Sequence, residues 1–203
     1  VIASPQMLVM TPTQSALLTF LTVGIPTFAL AAWARPGVFK GRIIVSVIRF
    51  VVPAALSIAG FGLAIFMFYL LRSGSIPGTL VTQVEPFGIE TARTVLLNFL
   101  TLTGIVLIIF AEPPTQFWVG GDDFSGDWRP TILAIAMMIC LLLSNLLPSM
   151  RDIFELQVLT LTDYAVIIGA TIIWTVLMRY VWKTRLFDRF LSLDGDSNTN
   201  TPA

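Results

Sequence analysis

Residues 50–71 read FVVPAALSIAGFGLAIFMFYLL, a run uninterrupted by any charged side chain. As a helix rising about 1.5 Å per residue it covers about 33 Å, enough for a hydrocarbon core of about 30 Å. Upstream, the apolar pattern extends to residue 43, but Arg49 interrupts it. A charged side chain at mid-membrane costs about 2.5–3.5 kcal/mol on insertion scales, so Arg49 belongs at an interface and the embedded part is 50–71. Four further apolar runs, at 15–34, 94–111, 131–147 and 161–182, have comparable length. A backbone in lipid must satisfy its own hydrogen bonds, and each run is therefore predicted to be a helix.

The fold expected is all-α, an integral membrane bundle of about five transmembrane helices over residues 15–183. Residues 1–14 are expected to form an exoplasmic turn and the end of a missing preceding helix, because the chain opens at Val1 without a leader pattern. Residues 184–203, polar and poor in apolar side chains, are expected to be a largely disordered cytoplasmic tail. Loops are predicted at 35–37, 74–78, 113–123 and Pro148-Ser149, where Pro and Gly are dense.

Composition agrees. Hydrophobic residues make up 56% of the chain and charged residues only 12%, about half the charged fraction of a soluble domain. The mean hydropathy is +0.86. Basic and acidic residues balance at 12 each, which gives no electrostatic footprint for nucleic acid. The lipid bilayer is the partner such a composition demands. There is no His, and Cys140 is the single cysteine, so neither a disulfide framework nor a thiolate cluster can form. Cys140 is predicted to be a buried structural thiol.

Basic residues set an orientation. With the first helix ending in the cytoplasm, that side receives Arg35, Lys40, Arg42, Arg49, Arg129, Arg179, Lys183, Arg185 and Arg189, and the other side Arg72, Arg93 and Arg151. This asymmetry follows the positive-inside rule and places the carboxy terminus in the cytoplasm. Trp118, Trp128, Tyr164, Tyr180 and Trp182 fall in loops or near helix ends, as an aromatic belt requires.

No phosphate-cradling loop, nucleophile elbow or carboxylate pair is present. The acids all fall in loops or helix ends, so a site inside the membrane has only neutral oxygens to use. Ser15, Thr19, Thr22 and Pro26 are spaced 4, 3 and 4 apart, which stacks them on one face of a regular helix. Pro26 has no N–H to give the Thr22 carbonyl, and Gly24 permits local unwinding. A freed carbonyl beside a hydroxyl suits a hard cation, although the same residues also serve plain helix packing. Thr94, Asn98 and Thr101 repeat the spacing in the third helix, where Asn98 needs either an interhelical partner or a cation. Ala55, Ala59, Gly60 and Ala64 are predicted to be close-packing positions, and Thr171 and Thr175 to bond their own backbone.

The stretch Leu21-Thr22-Val23-Gly24-Ile25-Pro26-Thr27-Phe28-Ala29-Leu30-Ala31 resembles the sixth membrane helix of P-type cation-transporting ATPases of the bacterial branch. Thr11-Pro12-Thr13-Gln14 is similar to the turn before that helix, Ala92-Arg93-Thr94-Val95 to the start of the eighth, and Phe154-Glu155-Leu156-Gln157 to the approach to the tenth. The resemblance implies helices six to ten of a pump in the bacterial plasma membrane, with a transported cation as ligand and metal-site positions Thr19, Thr22, Pro26, Asn98 and Thr101. It also implies that the amino-terminal part of the parent, which would use ATP and Mg2+, is missing. No cofactor is expected in this portion, since the phosphorylated Asp-Lys-Thr-Gly sequence of such pumps does not occur in it. In animal-type calcium pumps an Asp follows the matching threonine; Val23 stands there, Thr19 replaces an asparagine, and the acid of the eighth helix falls near Leu100. The other expectation is a complete five-helix accessory or assembly protein that transports nothing.

Overall fold

The computed structural model describes residues 9–33, 43–72, 86–111 and 128–183. The loops predicted at 35–37, 74–78 and 113–123, the tail and most of residues 1–14 lie outside these. Within them the chain is helical without a strand: α1 (Pro12–Thr19), a π-helical turn (Phe20–Gly24), α2 (Ile25–Trp33), α3 (Ile43–Arg72), α4 (Pro86–Ala111), α5 (Arg129–Leu146), α6 (Pro148–Ile153) and α7 (Leu161–Lys183). α1, the π turn and α2 run on as one span, and among the described residues five helices are long and apolar enough to cross a membrane. The protein is an all-α, multi-pass membrane bundle.

Helix ends follow local chemistry. Thr11 caps α1 in a capping box: its hydroxyl accepts from Gln14 N–H, and the Gln14 side chain accepts from Thr11 N–H. α7 starts the same way. Thr160 N–H donates to Asp163 Oδ2 at 2.8 Å, and Tyr69 of α3 donates to Asp163 Oδ1 at 2.7 Å. Pro148 holds Leu147 extended and so ends α5. It does not make the predicted loop, however. Proline tolerates the first helical turn, where its missing N–H has no partner to lose, and α6 begins on it.

The spans alternate in direction. At one end Gln14 Nε2 donates to the Glu155 carbonyl, Tyr69 meets Asp163, and Gln157 N–H donates to Thr94 Oγ1. At the other end Phe50 stacks on Trp182 with ring centroids 4.7 Å apart, and Phe110 meets the same ring edge-on at 4.9 Å. Thus α3 starts where α7 finishes, as the alternation requires. We refer to these as the Gln14 end and the Trp182 end.

α4 is the hub. Ala92, Val95, Leu96 and Phe99 pack on Ile65, Phe66 and Tyr69 of α3 and on Ile167 of α7. Leu97, Ile105 and Ile109 pack on Leu17 and Leu21 of α1 and the π turn and on Ala134, Met137 and Leu141 of α5. Inside lipid the hydrophobic effect does not press helices together, so close packing and buried hydrogen bonds must. Trp174, fully buried, donates its Nε1–H to Ser57 Oγ at 2.9 Å.

Two packing expectations are corrected. Ala55, Ala59, Gly60 and Ala64 are all exposed, and nothing lies within 4 Å of where a Gly60 side chain would begin. α3 instead turns its large residues Phe61, Ile65, Phe66 and Tyr69 inward. Close approach falls at Gly62, where an added Cβ would lie 3.1 Å from Leu96 Cδ1. Cys140 is exposed on α5, not buried, because the buried stripe of that helix runs through Ala134, Met137, Leu141 and Asn145.

Candidate functional site

The first span breaks in its middle. Ile25 N–H reaches five residues back to the Phe20 carbonyl, so the chain holds one residue more than an α-turn would there. Pro26 comes next and lies buried. In an α-helix the proline ring would crowd the carbonyl four residues before it; the wider turn relieves that crowding. In the widened register Pro26 faces the Leu21 carbonyl, and in the α register that of Thr22. Either way the missing donor falls at the Leu21–Thr22 step, half-way along Pro12–Trp33.

The extra residue also rotates the remainder of the span by about 100° relative to a continuous helix. The inward positions are Gln14, Leu17, Leu21 and then Pro26, and the last step of five carries the insertion. For this reason Ser15, Thr19, Thr22 and Pro26 do not share one inward face: Ser15 and Thr19 are exposed, Thr22 is half-buried, and Pro26 is buried.

Thr22 meets α4 at Gly104. A Cβ built there would lie 2.6 Å from Thr22 Cγ2, closer than atoms tolerate, so only glycine admits the contact. The Thr22 hydroxyl donates to the Leu18 carbonyl at 2.7 Å. Its proton is spent on its own helix, while its lone pairs stay available to a donor or a cation.

On α4, Thr101 is fully buried and donates to Leu97 O at 2.8 Å, one turn from Gly104. Thr94 and Thr103 bond their own backbone likewise, as do Thr171 and Thr175 on α7, where this was expected. Asn98 has an interhelical partner. It donates to Asn145 Oδ1 at 3.2 Å and receives from Asn145 Nδ2 at 2.8 Å. The second N–H of each amide goes to its own helix, to Thr94 O and Leu141 O. All four amide hydrogens are used, and each Oδ1 keeps one lone pair.

The structure therefore brings Thr22 against Gly104 of α4, leaves Pro26 buried further along the same span, places Asn98 in a clamp toward α5, and leaves Thr19 outward. Sequence reading missed Asn145 and Gly104. Asn145 sits at the end of an apolar run beside a proline and looks like a boundary residue; Gly104 is one small residue among many. Among the described residues no group of His, Cys, Asp or Glu could hold a metal ion. What the break offers chemically is neutral oxygen alone. No protein-family model matches the chain, and neither a curated protein nor a solved structure matches it.

Proposed function

We propose that this chain is the carboxy-terminal membrane portion, helices six to ten, of a bacterial P-type cation-transporting ATPase. The observation that supports this reading most is the π-helical turn set against Pro26 at mid-span, with Thr22 packed on Gly104. A backbone that loses a donor at membrane depth is tolerated where it is packed by protein or lines a path for a polar ligand. Here Thr22, Pro26 and Thr101 supply oxygens or free them, while Thr19 faces the side where the missing spans of the parent would pack. Asn98 braces the wall through Asn145. The cation's charge is balanced by groups of the parent outside this chain, and phosphorylation by ATP with Mg2+ takes place there too. The distribution of basic residues supports a cytoplasmic carboxy terminus.

A second reading, a five-helix accessory or assembly protein, draws on the saturation of the Asn98–Asn145 pair and the back-bonded threonines, which scaffolding alone would explain. The coding DNA upstream separates the two. An open frame running into Asp-Lys-Thr-Gly is the result expected of a pump. A start codon immediately before Val1 would replace the pump with the accessory protein. The isolated chain should form no acyl-phosphate from labelled ATP; turnover above background would reveal a catalytic site of its own.

A further inference from the structure

At the Gln14 end, α6 and the link at 154–160 fold back over the ends of α1 and α4. Leu156 inserts into the core, Gln14 Nε2 holds the Glu155 carbonyl at 3.0 Å, and Gln157 N–H holds Thr94 Oγ1 at 3.0 Å. Under this strap lies a cavity of about 370 Å3, lined by Gln14, Arg93, Arg151, Asp152, Glu155 and Gln157. It is separate from the break at Pro26, and none of its charged groups takes part in the function proposed above.

The charged residues in its lining differ in exposure. Gln14 and Arg93 are 1% and 7% exposed, and Arg151 is half-buried with its Nε enclosed and making no hydrogen bond. Asp152 and Glu155 are exposed, as is Glu90, whose Oε2 accepts from Gln157 Nε2 at 2.6 Å. The residues that carry guanidinium groups are the less exposed part of the lining, and those that carry carboxylates the more exposed. A simple anion would meet the carboxylates, and a simple cation would meet the arginines. A molecule that carries an anion at one end and an ammonium at the other satisfies both sets.

The cavity also sits at a telling level. Spans begin at Pro12, Gly88 and Leu161 around it, which places it in the headgroup layer, where basic pockets between helices take up lipid phosphates. With a water-sized group occupying about 30 Å3, it has room for a phosphoethanolamine group of about eight non-hydrogen atoms.

We propose that this cavity binds a phosphate–ammonium zwitterion of the phosphoethanolamine type, the phosphate toward Arg93 and Arg151 and the ammonium toward Asp152 and Glu155. Glu155 sharpens the assignment. Its φ of 51° lies in the left-handed region, where Leu156 N–H closes α6 on the Arg151 carbonyl. Glycine is the residue favoured at such a helix end. Glu155→Gly therefore keeps the turn, eases the backbone and removes only the carboxylate.

The test uses the full chain in maltoside micelles doped with equal amounts of phosphatidylethanolamine, phosphatidylcholine and phosphatidylglycerol, with retained lipid read by native mass spectrometry. The wild type should retain phosphatidylethanolamine over either of the others by about fivefold or more. Arg151→Gln and Glu155→Gly should each bring that ratio to about one, and Thr175→Val on α7 should leave it unchanged. Equal retention of the three lipids, retention of phosphatidylcholine or phosphatidylglycerol at the level of phosphatidylethanolamine, or an undiminished preference in Glu155→Gly would overturn the site. Adding millimolar O-phosphoethanolamine identifies the source: displacement of the lipid assigns the cavity to a soluble zwitterion, and persistence assigns it to the membrane lipid, with the same chemistry in both.

Discussion

The first span and α4 use nearly the same polar vocabulary and come to opposite ends. Of the α4 window 78% is buried inside the protein; of the first span, 17%. α4 carries Thr94, Asn98, Thr101 and Thr103 and remains one unbroken helix of 26 residues, with each of these side chains returning a hydrogen bond to its own turn or to Asn145. The first span carries Ser15, Thr19 and Thr22, and its helix is interrupted. The first span also holds a proline within it. A proline at 26 removes a donor that no side chain can replace, and the backbone widens to make room for the ring. α3 runs through Pro53 without a break, so the widening at Pro26 depends on its surroundings as well as on the ring; on the function proposed above, that widened turn is where a polar ligand would be accommodated.

If that contrast is right, the largest effect should come from forcing the two elements apart. Gly104→Leu puts carbon where Thr22 Cγ2 already lies, and the overpacking should cost about 3 kcal/mol or more. Unfolding in mixed detergent is the measurement, and an unchanged midpoint would mean that the first span does not pack on α4 there. Next in size is the amide clamp. Asn98→Leu leaves the Asn145 amide short of a partner and should cost about 1–2 kcal/mol, while Asn98→Leu with Asn145→Leu should recover most of it. Strict additivity of the two changes would dissolve the clamp. Tyr69→Phe removes one hydrogen bond to Asp163 at the Gln14 end and should cost about 1 kcal/mol. Smallest is Thr101→Val, which gives up a bond within a single helix turn and should shift stability by less than about 0.5 kcal/mol.

Much of the bundle was legible from residues alone because its cause is one-dimensional. Long uncharged runs such as 50–71 have one stable form in lipid, and Arg49 and Arg72 mark the ends of that one. Which face of each run turns inward was less legible. In α3 the small residues looked like the packing face, yet Phe61, Ile65, Phe66 and Tyr69 took that role; in an all-apolar helix composition does not distinguish lipid from protein neighbours. α4 begins eight residues before its predicted start at 94, since Glu90 and Arg93 lie at the interface and do not end a helix. In the candidate site, Gly24 and Pro26 announced a local break. The shape of the break was not legible, because whether the backbone unwinds or adds one residue depends on what α4 offers opposite. The partnership of Asn98 with Asn145 spans 47 positions, and no local spacing encodes it.

On the function proposed above, the break at Pro26 serves a cation and is not only a packing device. The direct measurement is cation-stimulated phosphorylation of the intact pump proposed above, carrying Thr22→Val, Pro26→Ala or Thr175→Val, each normalised to the amount of protein in the membrane. Thr22→Val keeps the shape and deletes an oxygen; Pro26→Ala restores the backbone donor and lets the helix close. Loss of one oxygen ligand should weaken apparent cation affinity by about five- to a hundredfold in each, or about 1–3 kcal/mol, and Thr175→Val should leave it unchanged. Affinity equal to that of Thr175→Val in both first-span variants would contradict the account and reduce the π turn to a fold detail.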